Sequence, residues 1–216
     1  MPKLRKDSLR SQREQAYDSL RGMLILQQVE AGKRLREPEW AARLKVHRSA
    51  LREAFARLAA EGFIERGERT GYFVPRLRAE DVAEVTKIRL ALECLAIDEV
   101  CAAREIGLEA VTRACGEFEA FFKGGYALGV IEADRRFHEA IVDAAGMRRL
   151  SALYLRAPLP LINQPTEDRE LWAAECARTL EEHQAILSAL ERRDALVAKN
   201  LLRAHITHRP NLPFRR

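Results

Sequence analysis

Between residues 80 and 208 the apolar residues recur at helical spacing and at no other. A chain patterned this way has no strands there with which to build a sheet. It must bury its apolar stripes helix against helix. Glycine and proline divide the region. Residues 81–104 form one long segment, with Val85, Ile88, Leu92, Leu95 and Val100 as its expected buried stripe. Residues 108–122 form a second, ended by Gly124 and Gly125, and residues 126–145 a third, stopped by Gly146. Residues 147–155 follow, and then "APLPLINQPTED", in which Pro158, Pro160 and Pro165 forbid a regular helix throughout. Residues 170–192 and 194–207 complete an expected all-helical bundle.

The first third reads differently. Residues 13–29 carry Ala16, Leu20 and Met23/Leu24 near a period of 3.6, and Gly32 closes that segment. "REPEWAARL" follows, with Pro38 suited to a first helical turn. In "KVHRSALREAFARLAAEGF", Leu51, Phe55 and Leu58 line one helix face and Gly62 ends it. "FIERGERTGYFV" places two short apolar runs, 63–66 and 72–74, around a charged turn with Gly67 and Gly71, which predicts a hairpin. Three helices and a hairpin make a winged helix-turn-helix. The expected class is therefore mainly α, with a winged helix-turn-helix over residues 1–78 and a helical bundle over 79–216.

Charge separates along the same line. Residues 1–78 carry 18 Lys/Arg against 10 Asp/Glu, and the remainder 19 against 22. A basic module on a mildly acidic one fits double-stranded DNA as the partner of the first. In such a unit the third helix enters the major groove by its N-terminal end. That end carries His47, Arg48, Ser49 and Arg52, and an arginine fork suits guanine O6 and N7. Arg69 and Thr70, with Gly71 beside them, sit at the hairpin tip, placed for a minor groove or phosphates. Two isolated arginines are more often a solvated helix face. The order of elements together with the local charge favours DNA binding.

No apolar run approaches the ~20 residues of a membrane span. "MPKLRKDSLRSQ" has no apolar core after its charges, so no secretory signal is read there, and the cytoplasm is the expected location. Cys94, Cys101, Cys115 and Cys176 show no CxxC spacing and are read as reduced, mostly buried side chains.

One stretch of the bundle holds ionisable groups beside an apolar stripe. In "EADRRFHEAIVDAAG", Asp134 and His138 are four residues apart, on one helix face. His183 and His205 are symmetric about residue 194, where Asp194 makes a good N-cap. If the last two helices pack antiparallel about that turn, these histidines lie at equal depth. One Asp and three His suit Zn²⁺, Ni²⁺ or Mn²⁺. Each residue also has a plain alternative, a helix salt bridge or a hydrogen-bonded core histidine, and the spacing leaves both open. Glu139 and Glu182 adjoin two of these residues in sequence and are expected to face elsewhere.

"GKRLREPEWAARLKVHRSALREAFARLAAEGFIERGERTGYFV" resembles the DNA-binding domain of the GntR family of bacterial transcription regulators. The match runs through Gly32, Arg34, Leu35, Glu37, Leu44, Val46, Arg48, Leu51, Arg52, Glu53, Ala54, Leu58, Glu61, Gly62, Gly71 and Val74. Pro38 stands where many relatives have a DNA-contacting arginine, Lys45 replaces a turn glycine, His47 a Ser/Thr and Ala50 a Thr or Pro. These departures imply an operator that differs from the commoner family sites.

The bundle resembles the FCD ligand-binding domain of the FadR-like subfamily. "DRRFHEAIVDAAG", "EEHQAILSALERRD" and "LLRAHI" match its three motifs, although Met147 replaces the usual Asn. The resemblance implies a divalent metal, Zn²⁺ or Ni²⁺ before Mn²⁺, on Asp134, His138, His183 and His205. "KIRLALECLA" resembles the family's R-x-x-L-E helix, which implies that Arg89 helps bind an effector carboxylate; Arg178 is a weaker candidate. The two resemblances cover roughly residues 13–208.

The expected function is a metabolite-responsive DNA-binding transcription regulator, a repressor, acting as a homodimer on a pseudo-palindromic operator. A small carboxylic acid is the expected effector, changing operator binding by favouring one state of the dimer. Two other readings are weighed against it. One is a metal-sensing regulator. The other is a metal-dependent enzyme with a DNA-binding appendage, for which no general base stands out.

Overall fold

The structure, a computed structural model, describes residues 3–67, 71–76, 78–105, 107–155 and 168–207, with side chains from residue 12 onward except that of residue 79. It divides into two compact units that part between Arg78 and Ala79.

The first unit runs α1 (Lys3–Ile25), β1 (Arg34–Leu35), α2 (Glu37–Leu44), α3 (Arg48–Ala60), β2 (Glu65–Arg66) and β3 (Tyr72–Phe73). The helical stripes read from the sequence are buried: Ala16, Leu20 and Leu24 on α1, and Leu51, Phe55 and Leu58 on α3. The two helices pack together, and Tyr17 donates its hydroxyl to Glu61 Oε2 at 2.5 Å. α1 ends at Ile25, short of the expected residue 29, because Gln27 turns left-handed at φ 52°. Between α2 and α3, Lys45 is also left-handed, at φ 55° and ψ 42°, and its N–H caps α2 on Ala41 and Ala42 carbonyls. A lysine there costs about 1 kcal/mol relative to the glycine such a turn prefers. The expected hairpin forms as β2 and β3, with Arg66 opposite Tyr72. A third strand, β1, joins its other side, with Leu35 opposite Tyr72. Two residues are too few to leave an alternating pattern, so β1 gave no signal in sequence.

The second unit is built of α4 (Ala79–Ala102), α5 (Glu109–Lys123), α6 (Ala127–Ala144), α7 (Arg148–Tyr154), α8 (Arg169–Glu191) and α9 (Ala195–Thr207). Its core gathers Ile97, Val100, Val111, Phe137, Ile141, Ile186, Leu190 and Leu202. Asp168 caps α8, accepting from the N–H groups of Glu170 and Leu171. Most of the proline-rich stretch before it lies outside the described residues. α8 and α9 pack together about a turn in which Arg193 is left-handed and Asp194 accepts from Val197 N–H at 3.0 Å, as the N-cap reading expected.

The α4 stripe needs correction. Ile88 and Leu95 are exposed (47% and 41%), and Val85 and Leu92 only partly covered; of the five expected residues, Val100 alone is fully buried. The inward face instead runs through Arg89, Glu93, Ala96, Ile97 and Val100. Two charged residues occupy core positions, so the helix is rotated from what its apolar pattern suggested. Among the described residues no helix is long and apolar enough to cross a membrane.

Candidate functional site

In the first unit, the residues expected to read DNA lie together at the start of α3. His47 is its N-cap residue, and His47, Arg48, Ser49 and Arg52 are all exposed. The backbone N–H of His47 donates to Gln12 Oε1, which ties α1 to the start of α3. Arg52 is held by Glu37 of α2: its Nη2 donates to Oε2 at 2.8 Å and its Nε lies 3.1 and 3.2 Å from the two oxygens. That pairing, more than burial, holds the Glu37 carboxyl below its ordinary range. Gly71 takes φ 99°, and a Cβ there would come within 3.2 Å of the Arg34 guanidinium. Arg69 and Thr70 lie outside the described residues.

In the second unit, α6, α8 and α9 bring Asp134, His138, His183 and His205 into one buried cluster whose ligand atoms all lie within 4.8 Å of one another. Each residue is at most 5% exposed. Asp134 and His138 share a face of α6 one turn apart. His183 of α8 and His205 of α9 meet them with ring centroids 4.9 Å apart. His183 Nε2 lies 3.3 Å from Asp134 Oδ1, and His138 Nε2 lies 3.8 Å from the same oxygen. Packing fixes the His183 ring: it stacks on Phe137 at 3.9 Å and meets Phe118 edge-on.

Two carboxylates complete the arrangement. Glu93 Oε2 accepts from His138 Nδ1 at 2.7 Å, and Glu182 Oε2 accepts from His205 Nδ1 at 2.7 Å. Glu182 therefore faces His205 across to the next helix, contrary to the sequence expectation. Glu139 is engaged by Arg135. Glu93 is the glutamate of the R-x-x-L-E resemblance, but nothing in its spacing ties it to α6.

Both arginines proposed for an effector stand behind these carboxylates. Arg89 Nε donates to Glu93 Oε1 at 2.8 Å, and Tyr154 donates its hydroxyl to the same oxygen at 2.8 Å. Arg178 donates to Glu182 Oε1 at 2.5 Å and to Glu175 at 2.6 Å. Burial opposes the charge on Glu93, but Arg89 and then His138, with hydrogen bonds from His138 and Tyr154, hold its carboxyl well below the usual range. At Glu182, burial is likewise outweighed by His205 and Arg178. Burial lowers the His138 pKa, and Glu93 offsets it only in part.

The donor set fits a metal ion. An ionised carboxylate can only accept, so both Nδ1 atoms must carry the proton. When both rings are neutral, their Nε2 lone pairs face one another, 3.1 Å apart. A cation held by both nitrogens would remove the repulsion. Among the described residues, His183 hydrogen-bonds through neither ring nitrogen, an arrangement costing about 1–3 kcal/mol unless a ligand is bound there. Ligands on opposite sides of an ion at about 2.1 Å lie about 4.2 Å apart, so a slight closing of this cluster accommodates one.

The model of the FCD domain matches residues 84–208, and that of bacterial regulatory proteins, gntR family, matches residues 12–74. The chain is 29% identical to the uncharacterized HTH-type transcriptional regulator YdhC of Bacillus subtilis (strain 168), over 90% of this chain and 87% of that one. It is 31% identical to the "Probable D-xylose utilization operon transcriptional repressor" of Paenarthrobacter nicotinovorans, over 81% of this chain and 76% of that one. A solved GntR transcriptional regulator from Rhodococcus sp. RHA1 superposes with a TM-score of 0.72 at 25% identity, covering 92% of this chain and 95% of that one.

Proposed function

The chain belongs to the gntR family of bacterial regulatory proteins, in its FCD-domain branch, and is a DNA-binding transcription regulator; on that premise we propose that it is a repressor released by a small organic acid, which binds at a divalent ion held by Asp134, His138, His183 and His205. The observation that carries this reading is the pair of imidazoles facing each other at 3.1 Å with both outer nitrogens bonded to carboxylates. Nitrogen-rich ligation favours Zn²⁺ or Ni²⁺, with Mn²⁺ as the harder alternative. Those four residues would hold the ion, which would supply an electrophilic point for a carboxylate oxygen of the effector. Arg89 and Arg178 are the candidate contacts for a second acidic group.

Residues 1–78 read the operator in this account, with Arg48, Ser49, Arg52 and His47 at the major groove and Arg69, Thr70 and Gly71 at the wing. Residues 79–216 hold ion and effector and form the homodimer that two half-sites require. The exposed Ile88 and Leu95, seven residues apart on one face of α4, supply apolar surface for such a dimer. The repressor assignment draws on the relative named a transcriptional repressor. The cytoplasm is the matching location.

The test is operator binding by fluorescence anisotropy with the ion loaded, with the ion chelated, and with a panel of small mono- and dicarboxylic acids. One class of acid is expected to weaken binding of the loaded protein and to have no effect on the chelated one. Release by chelation alone, with no acid active, would replace the effector reading with metal sensing.

A further inference from the structure

We propose that Glu93 and Glu182 are positioning residues that hold His138 and His205 in the Nδ1–H tautomer, each anchored by an arginine one turn earlier in its own helix. The inference rests on the metal reading of the cluster, but its central claim concerns a proton position that exists without the ion.

Two relays of identical composition converge on the cluster from different helices. Arg89 and Glu93 lie four apart on α4, and Glu93 reaches His138 on α6. Arg178 and Glu182 lie four apart on α8, and Glu182 reaches His205 on α9. In both, one carboxylate oxygen accepts from the guanidinium and the other from the imidazole. A carboxylate with its arginine on one side cannot turn away from its histidine without breaking a charge-assisted hydrogen bond. Glu93 is sealed from solvent and its two oxygens take three donors, from Arg89, Tyr154 and His138. The result at both sites is the same: the proton sits on the outer nitrogen, and Nε2 presents its lone pair to the point the other ligands share. A carboxylate behind a ligating imidazole also raises the ligand's basicity.

The test uses the full chain, uniformly labelled with ¹⁵N, freed of metal and held at pH 8, with long-range ¹H–¹⁵N spectra to read each imidazole tautomer. His138 and His205 are expected as Nδ1–H. Glu182 is partly exposed, so its variants keep the fold, which circular dichroism checks. Glu182→Ala removes the acceptor and should move His205 toward the Nε2–H form; Glu182→Gln keeps an acceptor and should retain Nδ1–H. Cobalt affinity, measured by chelator competition, should fall by roughly 10- to 100-fold in Glu182→Ala. An Nε2–H His205 in the parent protein, or a tautomer unchanged in Glu182→Ala, overturns the proposal. A parent protein that shows Nδ1–H but binds no cobalt supports the tautomer assignment and refutes the metal reading, so the two failures are distinct.

Discussion

The Nε2 atoms of His138 and His205 lie 3.1 Å apart in the core of the helical unit, on residues 67 positions apart in sequence. Two imidazole nitrogens held this close share either a proton or a cation. Helices α6 and α9 set the distance; the carboxylates behind the rings set the protons.

If the cluster binds an ion, removing two ligands from separate helices removes the ion. His183→Ala combined with His205→Ala should take bound metal from near one ion per chain to near none, measured by plasma mass spectrometry. Full metal content in the double variant would rule the site out.

Binding to the folded state alone also stabilises it. At a free ion concentration of about 100 times Kd the gain is about 2.7 kcal/mol. Chelation should therefore lower the melting temperature of the helical unit by roughly 10 °C, read by calorimetry. The double variant should melt at one temperature with or without chelator.

At the start of α3, Arg48→Ala and Arg52→Ala should each weaken operator binding by roughly ten-fold or more while leaving the melting temperature in place. Binding isotherms across a salt series distinguish the roles. A base contact relaxes sequence preference, whereas a phosphate contact lowers the salt slope by about one. Since Glu37 holds Arg52, Glu37→Gln should alter affinity in the Arg52 background but not in Arg52→Ala. Unchanged affinity in both arginine variants would refute the recognition-helix assignment.

Lys45 occupies a left-handed position between α2 and α3. Lys45→Gly should raise the stability of the first unit by about 0.5–1 kcal/mol in urea denaturation. No gain would mean that the lysine side chain compensates for its backbone.

Tyr17 supplies an alkaline limit. Its burial, and then its hydrogen bond to Glu61, push its pKa up to about 12. Because the folded value lies above the ordinary value near 10, the stability linked to this group is complete below about pH 10 and is lost as pH rises toward 12. A pH series of denaturation curves should show this loss in the parent protein, and Tyr17→Phe should flatten it.

Much of this was legible in the chain because it is local. Helical periodicity marked the bundle; Gly125 and Gly146 end their segments with φ 68° at both positions. The winged unit was legible from Leu51, Phe55 and Leu58 and from the charged turn between two short apolar runs. Asp134 and His138 are one turn apart on any helix. His183 and His205 could be paired because an antiparallel turn at Asp194 puts them at one depth.

Tertiary structure decided what spacing cannot encode. Glu182 follows Glu181 and precedes His183, and adjacent residues on a helix point about 100° apart. It therefore serves the histidine of the neighbouring helix and not its sequence neighbour. The expected buried stripe of α4 included Ile88, Leu92 and Leu95, while Arg89 and Glu93 stood out only through the R-x-x-L-E resemblance. They proved to be the buried face of α4, because His138 and Tyr154 meet them there and satisfy their charge. The sequence by itself determined which segments are helical and which residue types could share a helix face, since both follow from short-range geometry. Which carboxylate stands behind which histidine depends on how far each helix is rotated in the core, and only packing sets that rotation.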